Sequence, residues 1–146
     1  MGPFYKFEDS IYLKLGPSKW TEAQALAEDL GGNLVSINSQ EEQDFIVRTF
    51  LSEDDGQIGK WIGLTDKDQE GNWIWSDGSS VEFTNWHPDE PSNGGYNNSE
   101  HYGMIWANYG SQLNPNFPVG SWNDVVNGGE GIVSGIAEIP LFEFED

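Results

Sequence analysis

Trp61-Ile-Gly-Leu-Thr-Asp-Lys-Asp-Gln-Glu-Gly-Asn-Trp-Ile-Trp-Ser-Asp-Gly78 is where the apolar period of this chain changes. Before it, apolar residues recur at helical spacing. From Trp61 onward they alternate, which is the period of a half-buried strand. Trp61–Leu64, Asn72–Ser76, Val81–Trp86, Tyr102–Trp106 and Ile132–Ile139 are the expected strands, with Asp77-Gly78 as a tight turn between the second and third.

Upstream, residues 3–15 alternate well enough for an early strand. Trp20, Ala23, Ala27 and Leu30, with Leu26 beside them, then mark a helix, and Thr21-Glu-Ala-Gln24 reads as its capping box. Gly31-Gly32 supplies the left-handed residue that stops it, and Asn33–Ile37 reads as a short strand. A second box, Ser39-Gln-Glu-Glu42, opens a helix whose buried face carries Phe45, Ile46 and Phe50, with Val47 and Leu51 adjoining. Ser52 to Gly59 is polar and reads as loop. A strand, two helices and then several strands give an α+β class, two helices packed on antiparallel sheets, in one domain over residues 1–146.

Composition narrows the function. Six Lys and Arg against 25 Asp and Glu give a net charge of −19, with no cysteine and 20 aromatic residues. The aromatic load argues against a disordered acidic tail. The charge argues against nucleic acid, which needs Lys and Arg to displace counterions, and against an anionic membrane surface. Without cysteine there are no disulfides, zinc–thiolate sites or thiol nucleophiles. No run approaches the roughly 20 apolar residues of a membrane span. The start, Met1-Gly2-Pro3-Phe4, reads as a cloned start or a mature chain without a signal peptide.

Two stretches fit neither helix nor strand: residues 87–101 and residues 107–121. Long irregular loops in a compact domain usually carry function. The first holds Glu90-Pro91-Ser92 and Glu100, and Asn123-Asp124 follows the second. No Lys or Arg occurs after Lys67, so carboxylates gathered there have no internal cation to pair with. Oxygen-only donors on loops suit Ca²⁺, whereas His87 and His101 alone are a poor zinc set. Ordinary turn chemistry explains the same residue types, since Asn, Asp, Ser and Pro dominate turns. The segment Asp66 to Asp77 mimics an EF-hand loop, but strands in place of helices flank it and Trp73 stands where an aliphatic residue belongs.

In order along the chain, Trp61-Ile-Gly-Leu64, Glu70-Gly-Asn-Trp73, Trp75-Ser-Asp-Gly78, Asn85-Trp86, Glu90-Pro-Ser92, Trp122-Asn-Asp124 and Ile136-Ala-Glu138 resemble the C-type lectin domain over roughly residues 5–140. The resemblance implies a double-loop fold with long Ca²⁺-binding loops and a sugar bound directly to the ion. It places Glu90, Ser92, Glu100, Asn123 and Asp124 at the principal Ca²⁺ site, with the Glu90–Pro91 peptide cis. It places Asp66, Glu70 and Asn93 at an accessory second Ca²⁺ site, where Asn93 and His101 replace acidic ligands. Ser92 stands where mannose-type members carry Asn and galactose-type members Asp. Tyr102 and Ala137 occupy positions that resemble the family's half-cystines, so other packing has to replace the disulfides. Trp61, Trp73, Trp75, Trp86 and Trp122 are expected in the core.

The function so implied is Ca²⁺-dependent binding of vicinal diols of mannose, fucose or glucose type. Glu90, Glu100, Asn123 and Asp124 would contact the sugar, Val125 and Tyr96 would flank it, and Tyr109 and Phe117 would extend the site. Glycans are the expected partners. The absent cysteines suggest a bacterial, extracellular or cell-surface module of a larger secreted adhesin. A module that recognises protein, peptide or ice is the alternative, because fold does not determine ligand. An enzyme is not expected, as no G-x-S-x-G, H-E-x-x-H or phosphate loop occurs.

Overall fold

The computed structural model describes residues 3–53, 55–93, 99–128 and 133–141. The early strand is in fact a hairpin, β1 (Phe4–Phe7) and β2 (Ser10–Pro17). Helix α1 (Trp20–Asp29) starts one residue before the expected box. Its Lys19 N–H is accepted by Glu22, while Gln24 turns away to accept the Leu34 N–H and donate to Asn33. Gly31, at φ +97°, ends the helix as the sequence implies. Strand β3 is only Asn33–Leu34. In α2 (Gln40–Ile46) the Ser39 hydroxyl accepts the Glu42 N–H at 3.1 Å, and a π-helical turn over Val47–Leu51 carries the apolar face onward.

The strands β4 (Gly59–Thr65), β5 (Ile74–Trp75), β6 (Tyr102–Trp106), β7 (Trp122–Val125) and β8 (Val133–Pro140) complete the framework. They form one sheet in the order β1-β2-β8-β4-β6-β7, with β3 on β8 and β5 on β4. The expectation of purely antiparallel sheets is corrected at its centre, where β8 lies parallel to β4. The last strand enters between β2 and β4, antiparallel to the first, and this forces its direction against the second.

All of β4 is buried, and its alternation divides the core. Trp61 packs with Trp20, Ala23, Ala27, Leu34 and Met104, the cluster to which α1 contributes. Ile62 and Leu64 pack with Phe45, Ile46, Leu51, Trp75 and Trp122, the cluster to which α2 contributes. Gly63 has to be glycine, because a Cβ there would run into the Leu34 carbonyl. The half-cystine positions are filled by packing. Tyr102 lies 4.8 Å from the Trp20 ring, and Ala137 is buried in the α1 cluster. Trp61, Trp75 and Trp122 are fully buried, and Trp73 and Trp86 pack against the core from its edge.

Two further expectations fail for one reason. Val81–Trp86 alternates, and Val81, Phe83 and Trp86 do face the core, but the segment forms only a single bridge, Trp86 to Trp122. Alternation reports which side chains are buried, not whether a neighbouring strand exists to pair with. Likewise only Ile74–Trp75 of the expected Asn72–Ser76 strand pairs, against Leu64 and Thr65. Conversely, the second long loop contains a short helix, α3 (Asn108–Leu113). It has no apolar stripe to announce it. It fits because Gly110 lets its backbone meet the Ile58 carbonyl.

Candidate functional site

Strand β7 is the platform, and a chain of hydrogen bonds carries its position into the first long loop. The Trp122 N–H donates to the Asn85 carbonyl, the His87 N–H to the Trp122 carbonyl, and the Glu90 N–H to the His87 carbonyl, each at 2.9 Å. From α2, Gln43 donates to the Gly120 carbonyl at 2.7 Å and accepts the Trp122 indole N–H at 3.0 Å. The Asn85 amide reaches the same Gly120 carbonyl. The His87 ring touches two carbonyls, Pro88 at 2.9 Å and Asn116 at 2.7 Å, and lies on Phe117, which stacks on Trp106. The two long loops are thus tied to each other and to β7. Gln43, Asn85 and His87 carry this work, and of the three only Asn85 stands in a motif quoted above, since the partners they reach across the fold lie 29 to 79 residues away.

On this platform Asp124 is fully buried, and its two carboxylate oxygens accept the backbone N–H groups of Ser92 (2.9 Å) and Asn93 (2.6 Å). The Ser92 hydroxyl donates to Glu100 at 3.2 Å. The Glu90–Pro91 peptide is cis. Glu90 is pushed up to about 7, first by burial and then by its hydrogen bond and charge contact with Asp124 and the charge of Glu100, while the Ser92 hydroxyl opposes the shift. The structure therefore brings Glu90, Ser92, Glu100 and Asp124 together, with Asn123 beside Asp124 on β7.

Glu90 Oε1, Asn93 Oδ1 and Asn123 Oδ1 are buried and accept no hydrogen bond. A buried oxygen without a donor is costly in a bare protein, and for Glu90 the neighbouring charges of Asp124 and Glu100 add to the cost. All three oxygens fit a hard cation, since each is an oxygen donor of the kind calcium takes.

Other expected residues fall differently. Val125 is 1% exposed in the α1 cluster, so it offers no flanking face to a ligand. Phe117 is held between Trp106 and His87 and does not extend the site as a free ring. Tyr96 lies outside the described residues, as does most of the Asn97-Asn-Ser99 sequon. Asn93 joins the Asp124 group through its backbone.

Asp66 and Glu70 make a second cluster with His101. His101 Nδ1 lies 3.0 Å from Asp66 Oδ1 and 3.4 Å from Glu70 Oε1. Asp66 is buried, and its other oxygen accepts the Gly71 N–H at 2.8 Å. Glu70 is raised, by desolvation first and then by Asp66. Among the described residues no helix is long and apolar enough to cross a membrane.

Known proteins match this arrangement. The family model for the lectin C-type domain matches residues 16–125. The mouse low affinity immunoglobulin epsilon Fc receptor is 46% identical over 84 residues, covering 58% of this chain and 24% of the receptor. A perlucin-like protein of Mytilus galloprovincialis is 33% identical over 125 residues, covering 83% of this chain and 71% of its own length. The chain thus spans about a quarter of the Fc receptor relative. Among solved structures, the cow CD23 carbohydrate-recognition domain, determined with a GlcNAc2Man3 oligosaccharide, superposes with a TM-score of 0.76 at 32% identity, covering 97% of this chain and 98% of that one. Herring type II antifreeze protein, at 24% identity and a TM-score of 0.75 over 95% of this chain and 97% of its own, shares the fold alone. These relatives are animal proteins and lend no support to a bacterial source or an adhesin parent. With a family model over residues 16–125 and a relative matched over most of both lengths, the chain belongs to the C-type lectin domain family.

Proposed function

We propose that this domain binds carbohydrate through a calcium ion held by Glu90, Ser92, Glu100, Asn123 and Asp124, as a module of a larger extracellular or cell-surface protein. The observation that carries this reading is Glu90 Oε1, a buried acceptor without a donor, on a side chain that meets the Asp124 carboxylate. No Lys or Arg follows Lys67 to neutralise that group internally. Bound there, calcium supplies positive charge against the carboxylates and open coordination for sugar hydroxyl oxygens.

The chain's own residues do the selecting. Glu90 and Glu100 accept hydrogen bonds from ligand hydroxyls, and the Asn123 amide donates one, so the order of acceptors and donors selects a diol geometry. Keeping Glu90 as acceptor and Asn123 as donor favours mannose-, fucose- or glucose-type diols. The Asp124 carboxylate holds Ser92 and Asn93 by their backbones and so sets the course of the loop that presents Glu90. No chemistry of turnover is required of any of these groups.

Ser92 favours the second reading, recognition of protein, peptide or ice, because its hydroxyl is a weaker calcium ligand than the carboxamide or carboxylate that sugar-binding members carry there. One experiment separates the two. On a glycan array, binding is expected in calcium and its loss in EDTA, with a lower melting temperature. Asp124→Ala should abolish the signal while the fold persists in high calcium. Glycan binding unchanged by EDTA refutes the calcium mechanism, and a silent array with retained binding to a protein or to ice supports the second reading.

A further inference from the structure

The Asp66, Glu70 and His101 cluster does not have the chemistry of an accessory calcium site. Calcium takes 6–8 oxygen ligands. Here one of three donors is an imidazole nitrogen, and among the described residues no fourth His, Asp or Glu joins the group. Imidazole combined with carboxylate suits first-row transition cations, and sites of three protein ligands that leave a position open are common for zinc.

The spacing agrees. Bonds of roughly 2.0–2.1 Å in a tetrahedron place ligand atoms about 3.3 Å apart. His101 Nδ1 stands 3.0 Å from Asp66 Oδ1, as a hydrogen bond that a bound ion would replace, and 3.4 Å from Glu70 Oε1, and all three atoms lie within 4.8 Å of one another.

The ligands are also held in place. The Gly71 N–H occupies Asp66 Oδ2 and leaves Oδ1 toward the histidine. The His101 carbonyl accepts both the Thr65 hydroxyl at 2.7 Å and the Asp66 N–H at 3.2 Å, so the end of β4 holds His101 across from Asp66. Support of this kind orients metal-binding side chains. Exposure rises from Asp66 (0%) through His101 (30%) to Glu70 (50%), which leaves a side open to an arriving ion.

We propose that Asp66, Glu70 and His101 form a second metal site that takes a divalent transition cation of the zinc class in preference to calcium. This site is separate in its ligands from the calcium group above, and it stands or falls without the carbohydrate reading. The test is isothermal titration of the domain with Zn²⁺ in saturating calcium, with Co²⁺ as a spectroscopic substitute. One equivalent of Zn²⁺ is expected to bind, and Co²⁺ to give visible bands and shifted His101 resonances. His101→Ala and Glu70→Gln should each weaken Zn²⁺ by about tenfold or more. His101→Asp should move the preference toward calcium. Asp124→Ala and His87→Ala should leave Zn²⁺ uptake intact. Melting curves in EDTA report whether each variant is folded, and Glu70→Gln alters a half-exposed side chain, so it keeps the test valid if His101→Ala does not fold. No uptake by the wild type in calcium, uptake unchanged in both ligand variants, or removal of Co²⁺ by equimolar calcium would each overturn the proposal. Glycan binding, read in parallel, reports on the calcium group alone.

Discussion

Raising the pH of the ion-free domain is expected to destabilise it through Glu138. Tyr12 has one hydroxyl hydrogen and two carboxylates to serve, Glu42 at 2.7 Å and Glu138 at 3.3 Å. Glu138 also accepts the Ser10 hydroxyl at 3.0 Å and the Ser36 N–H at 3.2 Å. Burial, and then the charge of Glu42, pushes Glu138 from its ordinary 4.5 to about 7. Glu42 is raised as well, chiefly by burial. The folded protein therefore holds a proton that the unfolded chain has lost. A raised folded-state pKa gives stability that is complete below 4.5 and is lost as pH climbs through about 7. At ~1.4 kcal/mol per pH unit, the loss over that window is about 3 kcal/mol, and residual solvent contact makes this a ceiling.

The assay is urea unfolding in EDTA at several pH values between about 5 and about 8, on wild type and Glu138→Gln. Glu90 shifts in the same direction in the absence of an ion, so the diagnostic quantity is the difference between the two proteins. Wild type should lose stability with a steeper slope, and Glu138→Gln should flatten it. Parallel slopes, or a wild type that gains stability over this range, would refute the assignment of the proton to Glu138.

Two further outcomes rest on buried polar groups. Lys60 is fully buried on β4 with its ammonium 2.7 Å from Asp55, so Lys60→Ala should cost about 3 kcal/mol by chemical denaturation, and the paired change Lys60→Met with Asp55→Asn should recover most of it. Gln43→Leu leaves the Trp122 indole N–H without its acceptor and should cost about 1–3 kcal/mol. The same variant should weaken calcium binding measured by titration, because β7 loses its tie to α2.

How much was legible in the sequence depended on distance along the chain. The Ser39 cap, the Gly31 stop, the Asp77-Gly78 turn and the apolar face of α2 each involve residues within a few positions of one another, and each stands in the structure. The candidate residues Glu90, Ser92, Glu100, Asn123 and Asp124 are recognisable as a family pattern, and the fold brings Glu90, Ser92, Glu100 and Asp124 together. Val125 misled because a motif position does not state which way a strand residue points. In β7 its neighbour Asp124 meets the site loop, and Val125 turns into the α1 cluster.

The α+β class, both expected helices, the turn chemistry and the acidic loops without cations follow from local periodicity, capping and composition, which the chain carries before it folds. Tertiary contacts set the parallel pairing of β8 with β4, the single bridge from Trp86 to Trp122, the Tyr12–Glu42–Glu138 network and the seating of His101 against Asp66 and Glu70. Each of these joins segments far apart in the chain. Their contacts form only when the last strand closes the sheet or the core brings distant polar groups within hydrogen-bonding reach, and no local pattern encodes which distant partner will be there.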